Sequence, residues 1–192
     1  MPVRPSDLTV LAASLILAAG CSEEEPAAAY SIHMAAWQVN FVQTAGTCTI
    51  KNHTTKLGSV DAHQAGSLVF DGQAGAYVTC QVAGAGSYSV DAQASQGQNS
   101  LWVRVPSITP AATKDEPATG MLRYRSLSTV DDFLSPDGTP CHFYFSQAPP
   151  QTVQPGKIWV EFACESIEDP GSNPLVECSL GPSWLIFQQC DG

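Results

Sequence analysis

The sequence predicts an all-β fold, an antiparallel β-sandwich or jelly roll of about nine or ten short strands, stapled by disulfides. Three observations carry this reading. Hydrophobic residues make up 44% of the 192-residue chain and charged residues only 14%, too few for the wet faces of soluble helices. Alternation with a period of two recurs along the chain, and no stretch keeps a helical period with caps at both ends. Fourteen prolines and fifteen glycines fall mostly between the alternating segments.

In chain order, SIHMAAWQVNF (31–41) alternates through Ile32, Met34 and Ala36, then changes phase to Trp37, Val39 and Phe41, the pattern of a β-bulge or of a strand that changes sheets. TCTI (47–50), SLVFD (67–71) and AYVTCQVA (76–83) follow. GSYSVDAQA (86–94) meets SLWVRV (100–105) across QGQN (96–99), a hairpin turn. GMLRYRS (120–126), CHFYF (141–145), 156–164 and 183–189 complete the set, and the Pro-rich stretch 106–119 reads as a crossover loop. One domain, residues 30–192, holds all of these segments.

The seven cysteines are an odd number. Cys21 stands apart, leaving Cys48, Cys80, Cys141, Cys164, Cys178 and Cys190. No two of these six are two to four residues apart, so the close thiolate pairs of structural zinc sites are missing and disulfides are expected. Six cysteines allow fifteen pairings. Neighbours along the chain favour Cys48–Cys80, Cys141–Cys164 and Cys178–Cys190, the second because CHFYF and KIWVEFAC are alternating strands joined by a Pro-rich loop.

The leading segment has its own logic. Residues 8–20, LTVLAASLILAAG, carry no charge and are too few to cross a bilayer as a helix, but suit the apolar core of a secretory signal. Ala18, Ala19 and Gly20 lead directly into Cys21, followed by Ser22 and the acidic run EEEPAAA. Residues 1–22 resemble the lipobox of bacterial lipoproteins, with Ala18 where leucine is commoner. The resemblance implies that residues 1–20 are removed and that the Cys21 thiol and new amino group are acylated, palmitate being a typical chain. Several acyl chains anchor firmly where one binds only marginally. Ser22, in place of aspartate, resembles the sorting signal for the outer membrane. Residues 21–29 then form the lipidated cysteine and a solvated, self-repelling tether.

No signature of catalysis appears: there is no nucleophile elbow, no HExxH, no phosphate-binding loop and no dinucleotide fingerprint. His33 and His142 fall opposite the apolar faces of their strands, and His53 and His63 lie in or beside loops. A protein with 18 acids and 8 bases, net charge −10, is a poor partner for nucleic acid. VDDFLSPDGTP (130–140) could offer calcium the carboxylates of Asp131, Asp132 and Asp137, although Pro-Asp-Gly is also an ordinary turn and the EF-hand spacing is absent. Trp102 and Trp159 each sit between aliphatic neighbours that point the other way, so either could stack on a sugar face or cover the sheet. The expectation is a non-enzymatic, lipid-anchored cell-envelope module without a cofactor, binding the membrane through its acyl anchor, with an envelope protein or a glycan as the candidate further partner. The alternative is a carbohydrate-binding or hydrolase domain with a site built from loops.

Overall fold

Alternation along β4 (Ala76–Ala85), β5 (Ser87–Gln96) and β6 (Asn99–Ile108) puts Val78, Val82, Val90, Ala92, Leu101, Val103 and Val105 on one side and polar residues on the other. Such strands must bury their apolar side against a second layer. In the computed structural model, which describes residues 32–44, 46–146 and 150–192, that second layer is part of the same sheet. The remaining strands are β1 (Met34–Val42), β2 (His53–Leu57), β3 (Val69–Phe70), β7 (Ala118–Arg125), β8 (Phe133–Leu134), β9 (Cys141–Tyr144), β10 (Thr152–Gln154), β11 (Lys157–Asp169) and β12 (Val176–Gln188). The order is β2-β1-β12-β11-β8-β7-β6-β5-β4, all antiparallel, with β3 on β1, β10 on β11, and β9 bridging β11 and β7.

The twelve-stranded sheet doubles over, in the manner of a sandwich, so that β4–β7 face β1, β11 and β12 across one core. Trp37 of β1 shows the packing: its Nε1 donates to the Ala94 carbonyl of β5 at 3.3 Å, and its ring meets Tyr124 of β7 edge-on at 6.4 Å. Phe41 packs edge-on against Phe133 at 5.4 Å. Each such side chain fully withdrawn from water contributes about 1.5–3 kcal/mol. The open edge of β4 is closed by the chain leaving β12. The Val82 N–H donates to the Asp191 carbonyl at 2.8 Å and the Asp191 N–H donates to the Cys80 carbonyl at 3.0 Å.

Several expectations change. β1 has no change of phase: Ala35, Trp37, Val39 and Phe41 all face the core, and Ala36 is buried on the opposite side by another element. The irregularity lies across from it, where Gln38 and Phe41 face Trp184 and Leu180, so that three steps along β1 match four along β12. Residues 47–50 are not a strand, whereas HTTKL is. The 106–119 stretch is not a crossover. β6 continues to Ile108, and the rest joins β6 to its neighbour β7, with the buried Ala112 accepting from the Phe145 N–H at 3.0 Å.

Three disulfides cross the fold. Cys141 bonds Cys164 between β9 and β11. The pairs Cys48–Cys80 and Cys178–Cys190 do not form: Cys48 bonds Cys178 and Cys80 bonds Cys190. The reason is strand order. β12 lies beside β1, which brings the start of β12 to the chain leaving β1, while its far end reaches β4. Bridges spanning 130 and 110 residues stabilise by about 5 kcal/mol each in the chain-entropy account, against about 3 kcal/mol for the 23-residue one. Three buried disulfides belong to an oxidising, extracytoplasmic environment. Among the described residues no helix is long and apolar enough to cross a membrane. Cys21, the signal-like segment 1–20 and the tether 21–29 lie outside the described residues.

Candidate functional site

The outward side chains of β4–β7 form a lattice fixed by register. One row runs Gln81, Asp91, Arg104, Met121; the next Thr79, Gln93, Trp102, Arg123; the third Tyr77, Ser95, Ser100, Arg125. The hairpin between β5 and β6 sets this register through a two-residue turn, in which Gly97 takes φ 61, a value that glycine adopts without strain. Two connected hollows lie on the lattice. The first is bounded by Gln93, Ser100, Trp102 and Arg123; the second, of about 380 Å³, adds Ser95, Gly97, Gln98, Arg125 and Asp132.

Trp102 is held rather than loose. Its Nε1 donates to Asp91 Oδ1 at 3.0 Å, and Arg104 donates to Asp91 Oδ2 through Nε at 2.9 Å and Nη2 at 2.6 Å. The Arg104 guanidinium carbon sits 5.4 Å from the indole centroid, within cation–π range. Asp91 thus engages Arg104 and orients the indole. Among the described residues, Arg123 and Arg125 have no carboxylate within 4.0 Å, and the side chains of Gln93, Ser95 and Ser100 make no hydrogen bond. The groove therefore lines up two unpaired guanidinium groups, an amide and two hydroxyls beside an indole edge.

Trp159 has a different fate and is not a stacking platform. It is 3% exposed, packed with Ala36, Val60 and Ile186, and its Nε1 donates to the Asp61 carbonyl at 3.2 Å. Residues 58–68 form a flap over it. Within the flap Val60 bridges Ala65, and Asp61 Oδ1 accepts from the N–H groups of His63 at 2.7 Å and Gln64 at 2.8 Å. Those two bonds, His63 first, hold the exposed Asp61 carboxyl below the ordinary aspartate range.

Asp131, Asp132 and Asp137 do not converge. Among the described residues no three His, Cys, Asp or Glu side chains gather as a metal ion requires. The 126–131 segment is organised instead by Ser126 and Thr129, with the Val130 N–H donating to the Ser126 carbonyl at 3.0 Å, and Pro136–Thr139 is a turn closed by a 3.1 Å bond.

Among the described residues none of the histidines forms a buried pair with a carboxylate. His53, at the start of β2, stacks on Phe41 at 4.7 Å; its Nδ1 donates to the Lys51 carbonyl at 2.9 Å, and its Nε2 lies 3.2 Å from the hydroxyl oxygens of both Ser126 and Tyr124, the latter donating to Thr55 at 2.8 Å. This Ser–His contact has no acid behind it. The Ser126 oxygen is engaged by the Ser128 and Thr129 N–H groups, and the residue is 1% exposed, so no substrate reaches it. Burial raises the Tyr124 phenol above its ordinary value. His33 lies 3.6 Å from the exposed Asp191 at the sheet's seam. His142 borders a separate hollow with Lys114, Asp115, Tyr144 and Glu165 but bonds none of them; Tyr144 donates to Glu161 at 3.0 Å, and burial, then the Glu161 charge, raises its phenol.

The arginines were the missed signal. Arg104, Arg123 and Arg125 are three of the chain's four, and all lie at outward positions of two paired strands. Arg123 and Arg125 flank Tyr124 in GMLRYRS, an alternation that marks both as facing out. No family model matches the chain, and no curated protein or solved structure matches it.

Proposed function

We propose that the protein is an exported lipoprotein, acylated at Cys21 and held at the outer membrane, whose β domain is a non-enzymatic binding module. The apolar run ending in Ala-Ala-Gly-Cys supports the anchor, and the three disulfides support residence outside the cytosol. The observation that carries the binding reading is the groove on β5–β7, where Arg123 and Arg125 present guanidinium groups that no described carboxylate neutralises. Unpaired donors beside an indole that Asp91 holds in place are a recognition surface, and nothing in the groove resembles a nucleophile with its base.

Fractionation of cells making the full chain tests the anchor. The protein is expected with membranes and labelled by fatty acid, and Cys21→Ser is expected in the soluble fraction without label. Membrane partitioning unchanged by Cys21→Ser overturns the proposal.

A further inference from the structure

Resting on that binding reading, we infer that the β5–β7 face takes an anionic polysaccharide, one whose sugars carry carboxylate or sulfate groups. Three properties of the groove select this class. Arg123 and Arg125 are two residues apart on β7, hence about 7 Å apart along the strand, and face the same way. Each guanidinium presents a planar fork that matches a carboxylate or sulfate through two parallel hydrogen bonds. Trp102, fixed by Asp91 and Arg104, offers an apolar edge to the C–H face of a pyranose. Gln93, Ser95 and Ser100 supply donors and acceptors suited to hydroxyls: Ser100 sits beside Trp102 on β6 and opposite Arg125, while Gln93 and Ser95 line the hollow from β5, on the other side of the indole.

The rest of the molecule narrows the choice. A chain of net charge −10 repels a densely charged nucleic acid, whose binding needs many cations, whereas the groove offers two. Asp132 borders the same hollow as Arg123 and Arg125 and lowers the positive charge that an anion meets there. An acidic peptide would satisfy the arginines but leave the indole and the hydroxyls without a role, and a neutral glycan would leave the arginines without one.

The test is titration of the full-length protein, disulfides intact, with polygalacturonate, dextran sulfate, neutral dextran and poly-L-glutamate. Binding to polygalacturonate or dextran sulfate is expected, weakening with added salt; the arm that binds identifies carboxylate or sulfate. Arg123→Gln with Arg125→Gln is expected to lower that affinity by about tenfold or more, and Trp102→Ala by severalfold, with melting temperature used to show that each variant folds. Lys51→Gln with Lys56→Gln removes the same charge from exposed positions elsewhere and is expected to leave affinity within twofold. Failure to bind either anionic glycan overturns the inference, as does equal loss in the lysine variant. Equal binding of poly-L-glutamate assigns the face to an acidic protein instead. Equal binding of neutral dextran removes the anionic requirement while leaving the binding-module reading intact.

Discussion

Leu101-Trp102-Val103 and Ile158-Trp159-Val160 are near copies in sequence, each a tryptophan between inward-pointing aliphatics, yet their indoles live in different worlds. On the β4–β7 layer the outer face is open, so Trp102 stands among arginine, glutamine and serine, tethered by Asp91. On the β1–β12–β11 layer the flap of residues 58–68 lies over the outer face and turns it into a second, smaller core of Ala36, Val60, Trp159 and Ile186. Strand alternation decides which side a residue faces. Whether that side is wet depends on what the rest of the chain lays across it.

The largest test of this contrast is removal of each indole. Trp159→Ala is expected to cost about 3–5 kcal/mol, as for a large buried aromatic, while Trp102→Ala costs about 1 kcal/mol or less. Urea unfolding measures both, and equal losses would mean that the flap covers nothing of consequence.

A smaller effect comes from the flap's hinge. Gly58 has φ 61, and a Cβ there would run into the Ser67 carbonyl and approach Ala36 Cβ at 3.0 Å. Gly58→Ala is expected to cost about 1–3 kcal/mol. Hydrogen exchange should quicken at Ser59 and Gly66, whose N–H groups bond across the flap, while the β5–β6 ladder keeps its protection. Loss of protection in both layers together would show that the flap is inseparable from the main core.

The smallest effect is one of pH. Because the folded Asp61 carboxyl sits below its ordinary value, its contribution to the flap is present above about pH 4 and is lost as pH falls through the folded value. Acid should therefore quicken exchange at the His63 and Gln64 N–H groups, and Asp61→Asn should show faster exchange there with less response to acid. Acid exchange identical in the two proteins would assign the flap's order to its backbone bonds alone.

The β4–β5–β6 meander was legible because its alternation is unbroken and its turns carry glycine, so segments expected at 76–83, 86–94 and 100–105 are strands, each lengthened toward its turn. β3 is the centre of the expected SLVFD segment, whereas the polar edge strand β2 and the two- or three-residue β8 and β10 carry too little pattern to read. They exist because longer neighbours offer them hydrogen-bonding groups. Disulfide pairing failed for a related reason. Proximity along the chain is a fair guide for Cys141 and Cys164, on adjacent strands 23 residues apart, but not for partners brought together by sheet order across 110 or 130 residues. At the site, Trp102 could be named from sequence as a candidate. The arginine pair acquires meaning only once register sets Trp102 opposite Arg123 and Ser100 opposite Arg125.

The interlaced bridges also constrain how the molecule is made. A polypeptide threaded outward from its N-terminus presents Cys48 and then Cys80 to the oxidising side long before Cys178 or Cys190 arrives. Oxidation in order of arrival would join the first two to each other, a covalent trap that thiol exchange must then undo. Maturation of this protein should therefore slow, and mispaired forms accumulate, in cells deprived of disulfide isomerase, even where the machinery that introduces disulfides is intact.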